Sequence, residues 1–140
     1  MDGAVLNLLV VNKREEMDRI LPAFEDFAGT AGISAKITRQ VMLVIEELVL
    51  NTILYGFPEG GDHIINLDIA IQDGSLVLEI RDDGKPFDPF NEAPAPDLTS
   101  SIMERRVGGL GVHIVKKTMD RISYRHDGDC NNIRVEKVIG

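Results

Sequence analysis

Three short stretches of this chain hold residue types able to do chemistry. The first is Gly108-Gly109-Leu110-Gly111, three glycines in four residues with an amphipathic segment directly after them. Leu110, Ile114, Val115, Thr118, Met119 and Ile122 recur at helical spacing, and His113, Lys116, Lys117 and Asp120 fall on the other side. Glycine permits a tight turn and close approach to another group. The first N–H groups of a helix have no partner inside it, and the positive end of the dipole sits there. A phosphate is the natural guest. Taken by itself, the stretch fits a flexible loop meeting a packed helix better than it fits a phosphate site.

The second candidate is the pair Glu47 and Asn51, four residues apart and so on one helix face. Their neighbours Val44, Leu48 and Leu54 are apolar. A buried carboxylate and amide need partners, since unpaired burial costs roughly several kcal/mol. Bonds to each other and to nearby backbone would satisfy them without any ligand. Glu46 lies about a hundred degrees around the helix and reads as a solvated or partner-facing charge. The third candidate is Asp82, followed by Asp83-Gly84. It either caps the next turn or accepts a hydrogen bond from a ligand, such as an exocyclic amine, which would distinguish adenine from guanine.

The elements that must position these residues follow from periodicity. Ala4 to Val11 reads as a strand. Lys13 to Ala31 reads as a helix with Met17, Ile20, Leu21, Phe24, Phe27 and Ala31 on one stripe, and Pro22 as a kink or irregular start. Ser34 is an N-cap candidate for a helix running to about Gly56, apolar on most sides and so the buried centre of the domain. His63–Gln72 and Ser75–Asp82 alternate as strands, and Asp73-Gly74 between them signals a two-residue hairpin. That turn opposes Ile71 to Leu76, Ile69 to Leu78, Leu67 to Ile80 and Ile65 to Asp82, which turns Asp82 to the core side and Arg81 and Asp83 away. This register favours the ligand role for Asp82.

Residues 84–107 carry Pro86, Pro89, Pro94 and Pro96 of the chain's six prolines, with Asp88, Asn91, Glu92 and Asp97 among them. So long an irregular stretch reads as a lid. The helix after the glycines is expected to run to about Arg121. Strands are expected at Ile122–His126 and Ile133–Val138, joined at Asp127-Gly128-Asp129. The resulting fold class is α+β, a two-layer sandwich with a mostly antiparallel sheet and helices packed on one face.

Length sets the expectation of a single domain over residues 1–140. The net charge of −8, with no basic cluster beyond Arg105-Arg106 and Lys116-Lys117, argues against a nucleic-acid binder. No apolar run is long enough to span a membrane, and no secretory signal is evident after Met1-Asp2-Gly3. The lone Cys130 excludes an internal disulfide and suits a cytoplasmic location. Gly84-Lys85-Pro86 is not a Walker-A loop. Gly109-Leu110-Gly111 lacks the third glycine and the preceding strand of a dinucleotide fingerprint. His63, His113 and His126 are scattered and make a zinc site improbable.

In combination the three stretches resemble the boxes of the GHKL (histidine-kinase-like) ATPases. Residues 45–56, Ile-Glu-Glu-Leu-Val-Leu-Asn-Thr-Ile-Leu-Tyr-Gly, are similar to the N-box. Residues 81–89 are similar to the first glycine box and 106–111 to the second. The subgroup most resembled is the anti-sigma factor serine/threonine kinases. The resemblance implies a Bergerat-type ATP-binding fold with an ATP lid at about 85–108, and ATP and Mg²⁺ as cofactors. By it, Asn51 holds the Mg²⁺ and Glu47 is the general base. Asp82 reads the adenine amine, and Gly84 is the first glycine of its box. Gly108, Gly109, Leu110 and Gly111 bring backbone N–H groups to the phosphates, with Arg106 approaching them from the lid. The implied activity is phosphorylation of a serine or threonine on an anti-anti-sigma (STAS-type) partner, with release or sequestration of a sigma factor. A homodimer is implied as well, with residues 13–31 near the dimer contact and the sigma factor.

Two departures stand out. Pro86 replaces a glycine of the first glycine box, which stiffens the base of the lid and removes one donor. Related chains place a threonine beside the adenine-reading aspartate. Here the alignment puts Arg134 there, unless the register shifts by one and Arg134 faces solvent. A rival reading from another class is a nucleotide-gated binding module without kinase activity.

Overall fold

A computed structural model of the chain describes residues 2–92 and 110–140, with Leu110 described by its backbone alone. The Asp73-Gly74 turn organises the sheet. Asp73 and Gly74 both adopt positive φ, 51° and 77°, as the twist-matched two-residue hairpin turn requires. This turn joins β2 (Ile64–Gln72) to β3 (Ser75–Asp82). The register has Ile71 opposite Leu76, Ile69 opposite Leu78, Leu67 opposite Ile80 and Ile65 opposite Asp82, as the alternation requires.

Around this hairpin stand β1 (Val5–Val11), β4 (Arg121–Asp127) and β5 (Cys130–Val138). The strand order is β1-β2-β3-β5-β4, and every neighbouring pair is antiparallel. The inner face presents Val10, Ile65, Leu67, Ile69, Leu76, Leu78, Ile80, Ile133 and Val135 to one core. Burial of each large aliphatic side chain contributes about 1.5–3 kcal/mol.

The helices cover that one face. α1 (Met17–Thr30) follows a 3₁₀ turn at Arg14–Glu16 and buries Ile20, Phe24 and Ala28. Pro22 neither ends nor delays it. It lies on the exposed side, where water can bond the Asp18 carbonyl that the missing N–H leaves unpaired. α2 (Ala35–Gly56) starts at Ser34, whose hydroxyl accepts from the Ile37 N–H at 3.2 Å. It buries Val41, Val44, Ile45, Leu48 and Val49 against the sheet. A short α3 (Pro89–Glu92) follows the first glycine box, and α4 (Leu110–Thr118) follows the second. α4 contributes Val112 and Val115 to the core, with Met119 just beyond its end.

Two boundaries differ from expectation. The last helix ends at Thr118, not near Arg121. Met119 N–H closes the final turn on Val115 O, and the next N–H, of Asp120, already bonds Glu136 O. Arg121 then pairs with Glu136 in the sheet. Ile122 fits helical spacing after Met119 and strand alternation before Tyr124 equally well, and pairing with β5 decides between them. β5 also begins three residues early, at Cys130, and this places Asn131 opposite Asp82.

Candidate functional site

Three elements meet at one end of the inner sheet face. β3 delivers Asp82, which is 5% exposed. Its Oδ1 accepts from the Gly84 N–H at 2.8 Å and from Asn131 Nδ2 at 3.0 Å. Its Oδ2 has no hydrogen-bond partner among the described residues. Among the described residues Asp82 is thus held through one oxygen alone. Burial pushes the Asp82 carboxyl above the usual carboxylate range. The bonds from Asn131 and Gly84 oppose this, the Asp83 charge adds to it, and His126 opposes it.

α2 runs past this aspartate and meets the glycine box at its own end. Lys85 N–H donates to Gly56 O at 2.7 Å. A Cβ on Gly84 would lie 2.5 Å from Gly56 O and 2.8 Å from Asp82 Oδ1, so only glycine fits the crossing. Tyr55, one residue before the helix end, stacks on Phe87 with ring centroids 4.9 Å apart.

Farther back on α2 lie Asn51 and Glu47. Asn51 is 3% exposed, and its amide nitrogen is buried with no hydrogen-bond partner among the described residues. Such an orphan costs about 1–3 kcal/mol. Glu47, one turn earlier, is half-buried. The start of α4 lies against it, close enough that a Cβ on Gly111 would overlap the Glu47 carboxylate. A methyl at position 111 would therefore have to push the end of the Glu47 side chain aside. The carboxylate occupies the space beside a helix N-terminus, where the dipole attracts negative charge.

Of the residues singled out in the sequence, Glu47, Asn51, Asp82, Gly84 and Gly111 thus line one side of α2 or its end. The backbone of Leu110 opens α4. Arg106, Gly108 and Gly109, and the lid beyond Glu92, lie outside the described residues. Residues 85–88 form neither helix nor strand, as expected, and the short α3 at Pro89–Glu92 is the departure from an irregular stretch. Phe87 N–H donates to Tyr124 Oη at 3.1 Å, and α3 buries Pro89 and Phe90.

Arg134 is not beside the aspartate. It lies opposite Glu79 on the outer sheet face and bonds that carboxylate at 2.8 Å. The residue beside Asp82 is Asn131, 3% exposed, which the sequence reading left outside any strand. The signal was available in the alternation: Asn131, Ile133 and Val135 share one face once the strand starts at Cys130.

The histidine kinase-like ATPase domain matches residues 10–137, and the chain belongs to that family. Among curated proteins, it is 30% identical over 91 residues to the anti-sigma F factor of Heyndrickxia coagulans, covering 64% of this chain and 61% of that protein. It is 23% identical over 131 residues to the serine-protein kinase RsbW of Halalkalibacterium halodurans, covering 84% of this chain and 80% of that protein. The chain thus spans 61% of the length of the first of these relatives. The fold matches one part of the structure of the RsbU and RsbW domains of Rv1364c from Mycobacterium tuberculosis, with a TM-score of 0.68 at 11% identity over 96% of this chain and 32% of that one. The blue-light activated histidine kinase EL346 of Erythrobacter litoralis shares it at a TM-score of 0.55 and 13% identity, over 76% of this chain and 32% of that one. No described helix is long and apolar enough to cross a membrane.

Proposed function

We propose that this chain binds Mg-ATP and phosphorylates a serine or threonine on an anti-anti-sigma (STAS-type) partner, so controlling a sigma factor, as a cytoplasmic homodimer. The observation that carries this reading is the joint placement of Glu47 against the start of α4 and of Asn51 with an orphaned buried amide one turn away. The names of the relatives, an anti-sigma factor and a serine-protein kinase, support the same reading.

In this reading the C-terminal half of α2 serves both ends of the nucleotide. Asp82 Oδ2 accepts the exocyclic amine of adenine near Gly56. From Glu47 to Gly56 is roughly 14 Å along the helix axis, enough to separate base from terminal phosphate. N–H groups at the start of α4 bond phosphate oxygens. The buried Asn51 amide fits a metal-facing role. Rotation about its last bond presents Oδ1 or Nδ2 to the same point, and Mg²⁺ held there would neutralise charge on the phosphates. Glu47 accepts the proton of the attacking hydroxyl.

The test is direct. With radiolabelled ATP, Mg²⁺ and the STAS-type protein, label is expected on a serine or threonine of that protein. Tight ATP binding without label would replace the kinase by a nucleotide-gated binding module, and absence of ATP binding would overturn both.

Gly111→Ala is a sharper probe of the geometry. Alanine suits a helix at least as well as glycine, so the melting temperature should hold. The new methyl displaces the Glu47 carboxylate, and misplacement by about 1 Å costs on the order of 100-fold in rate. The expected result is a large fall in phosphoryl transfer with thermal unfolding unchanged.

A further inference from the structure

Asn131 makes five side-chain hydrogen bonds at the site. Nδ2 donates to Asp82 Oδ1 at 3.0 Å, to Gly84 O at 3.2 Å and to Lys85 O at 3.1 Å. Oδ1 accepts from the Tyr124 hydroxyl and from Phe87 N–H, the latter at 3.4 Å. Two donors converge on one end of the amide and three acceptors on the other, so the amide has a single workable orientation. The Tyr124 hydroxyl, itself accepting from Phe87 N–H at 3.1 Å, enforces that orientation from β4.

We propose that Asn131 is the positioning residue for adenine recognition: it occupies Asp82 Oδ1, leaving Oδ2 as the one acceptor offered to the base, and fixes the first glycine box around that carboxylate. This rests on the reading of Asp82 as the adenine acceptor. A carboxylate free to rotate would present either oxygen, or a proton, to the ligand. One held through Oδ1 presents a charged acceptor in one direction, which favours an amine and rejects a carbonyl at the same position. A donor to Oδ1 also stabilises the ionised form. The other groups that act on Asp82 are Asp83, which raises its proton affinity, and His126 on β4, which lowers it. Tyr124, also on β4, reaches Asp82 through Asn131. α2 meets Asp82 at Gly56, which carries no titratable group.

The experiment titrates ATP and GTP into the full chain over a pH series, for wild type, Asn131→Ala, Tyr124→Phe and Asp82→Asn, with thermal unfolding recorded for each. Asn131→Ala is expected to weaken ATP binding roughly 10- to 100-fold, the value of a hydrogen bond to a charged group. It is also expected to narrow the preference for ATP over GTP and to raise the pH at which ATP binding is half lost. Tyr124→Phe keeps the ring and removes the hydroxyl that orients the amide, so it should shift that pH in the same direction with a smaller loss of affinity. A purely structural role would lower the unfolding temperature and leave the pH midpoint in place. Unchanged midpoint and selectivity in the folded variants, with Asp82→Asn losing ATP, would overturn the role of Asn131 alone. Full ATP binding by Asp82→Asn would overturn the reading of Asp82 instead. Should Asn131→Ala fail to fold, Tyr124→Phe decides.

Discussion

Glu47→Ala is expected to lower phosphoryl transfer to the partner by roughly 100- to 10,000-fold, the usual contribution of a positioned general base. Mg-ATP affinity should change by no more than about threefold, since the proposed general-base role puts the side chain in the transfer step and not in holding the nucleotide. The carboxylate lies one helical turn from Asn51 and against the start of α4, so a carboxylate, a buried amide and a helix N-terminus lie close together. Glu47→Gln keeps the shape and removes the basicity. It should match Glu47→Ala in transfer rate while keeping the contact with Gly111. Single-turnover transfer and equilibrium ATP binding, measured side by side, check this. A variant that loses binding and transfer equally would make Glu47 a ligand-holding residue.

Asp82→Asn is expected to act in opposite directions on binding and on stability. The asparagine must turn its Oδ1 toward the Gly84 N–H and Asn131 Nδ2, which both need an acceptor. Its amide nitrogen then stands where Oδ2 was, facing the adenine amine donor to donor. Replacing a charged acceptor by an opposing donor should weaken ATP binding about 100-fold or more. Stability should move the other way. The folded-state pKa of Asp82 lies above its ordinary value of 3.8 because burial disfavours the charge. The folded chain therefore binds this proton more tightly than the unfolded chain, and the ionised carboxylate costs stability at neutral pH. That cost is present above the folded pKa and disappears as pH falls through it toward the ordinary value. Asp82→Asn removes it, so the variant should unfold at a higher temperature at neutral pH, and the gain should shrink on acidification. Wild-type ATP affinity should fall in the same acidic window, above the usual carboxylate range, as Asp82 takes up its proton.

The inward placement of Asp82 was legible in the residues. The alternation of β2 and β3 and the Asp73-Gly74 turn are local signals, and they alone place Asp82 on the inner face. The Ser34 cap and the spacing of Glu47 and Asn51 are equally local, because a helix carries its periodicity within a few residues. The partner of Asp82 was not legible. Asn131 is 49 residues away in sequence and bonds it across the β3–β5 pairing, which no short window encodes. The family alignment puts Arg134 beside the aspartate, with a one-residue shift toward solvent as the alternative, and the structure takes the alternative. In the structure the sheet ladder begins at Cys130 and sends Arg134 to the outer face with Glu79.

The glycine-rich stretch shows the same division. The spacing of apolar residues marks a helix at the glycine-rich stretch, and α4 starts within it, at Leu110. What a methyl at position 111 would meet is decided elsewhere, by the Glu47 side chain of α2 that fills that space. Turns, caps and faces follow from neighbours along the chain, so the amino-acid sequence by itself determined the two-layer fold and which side chains face inward. The bonds of Asp82 and the contact of Gly111 depend on segments brought together only when the core closes, so the tertiary structure alone decided them.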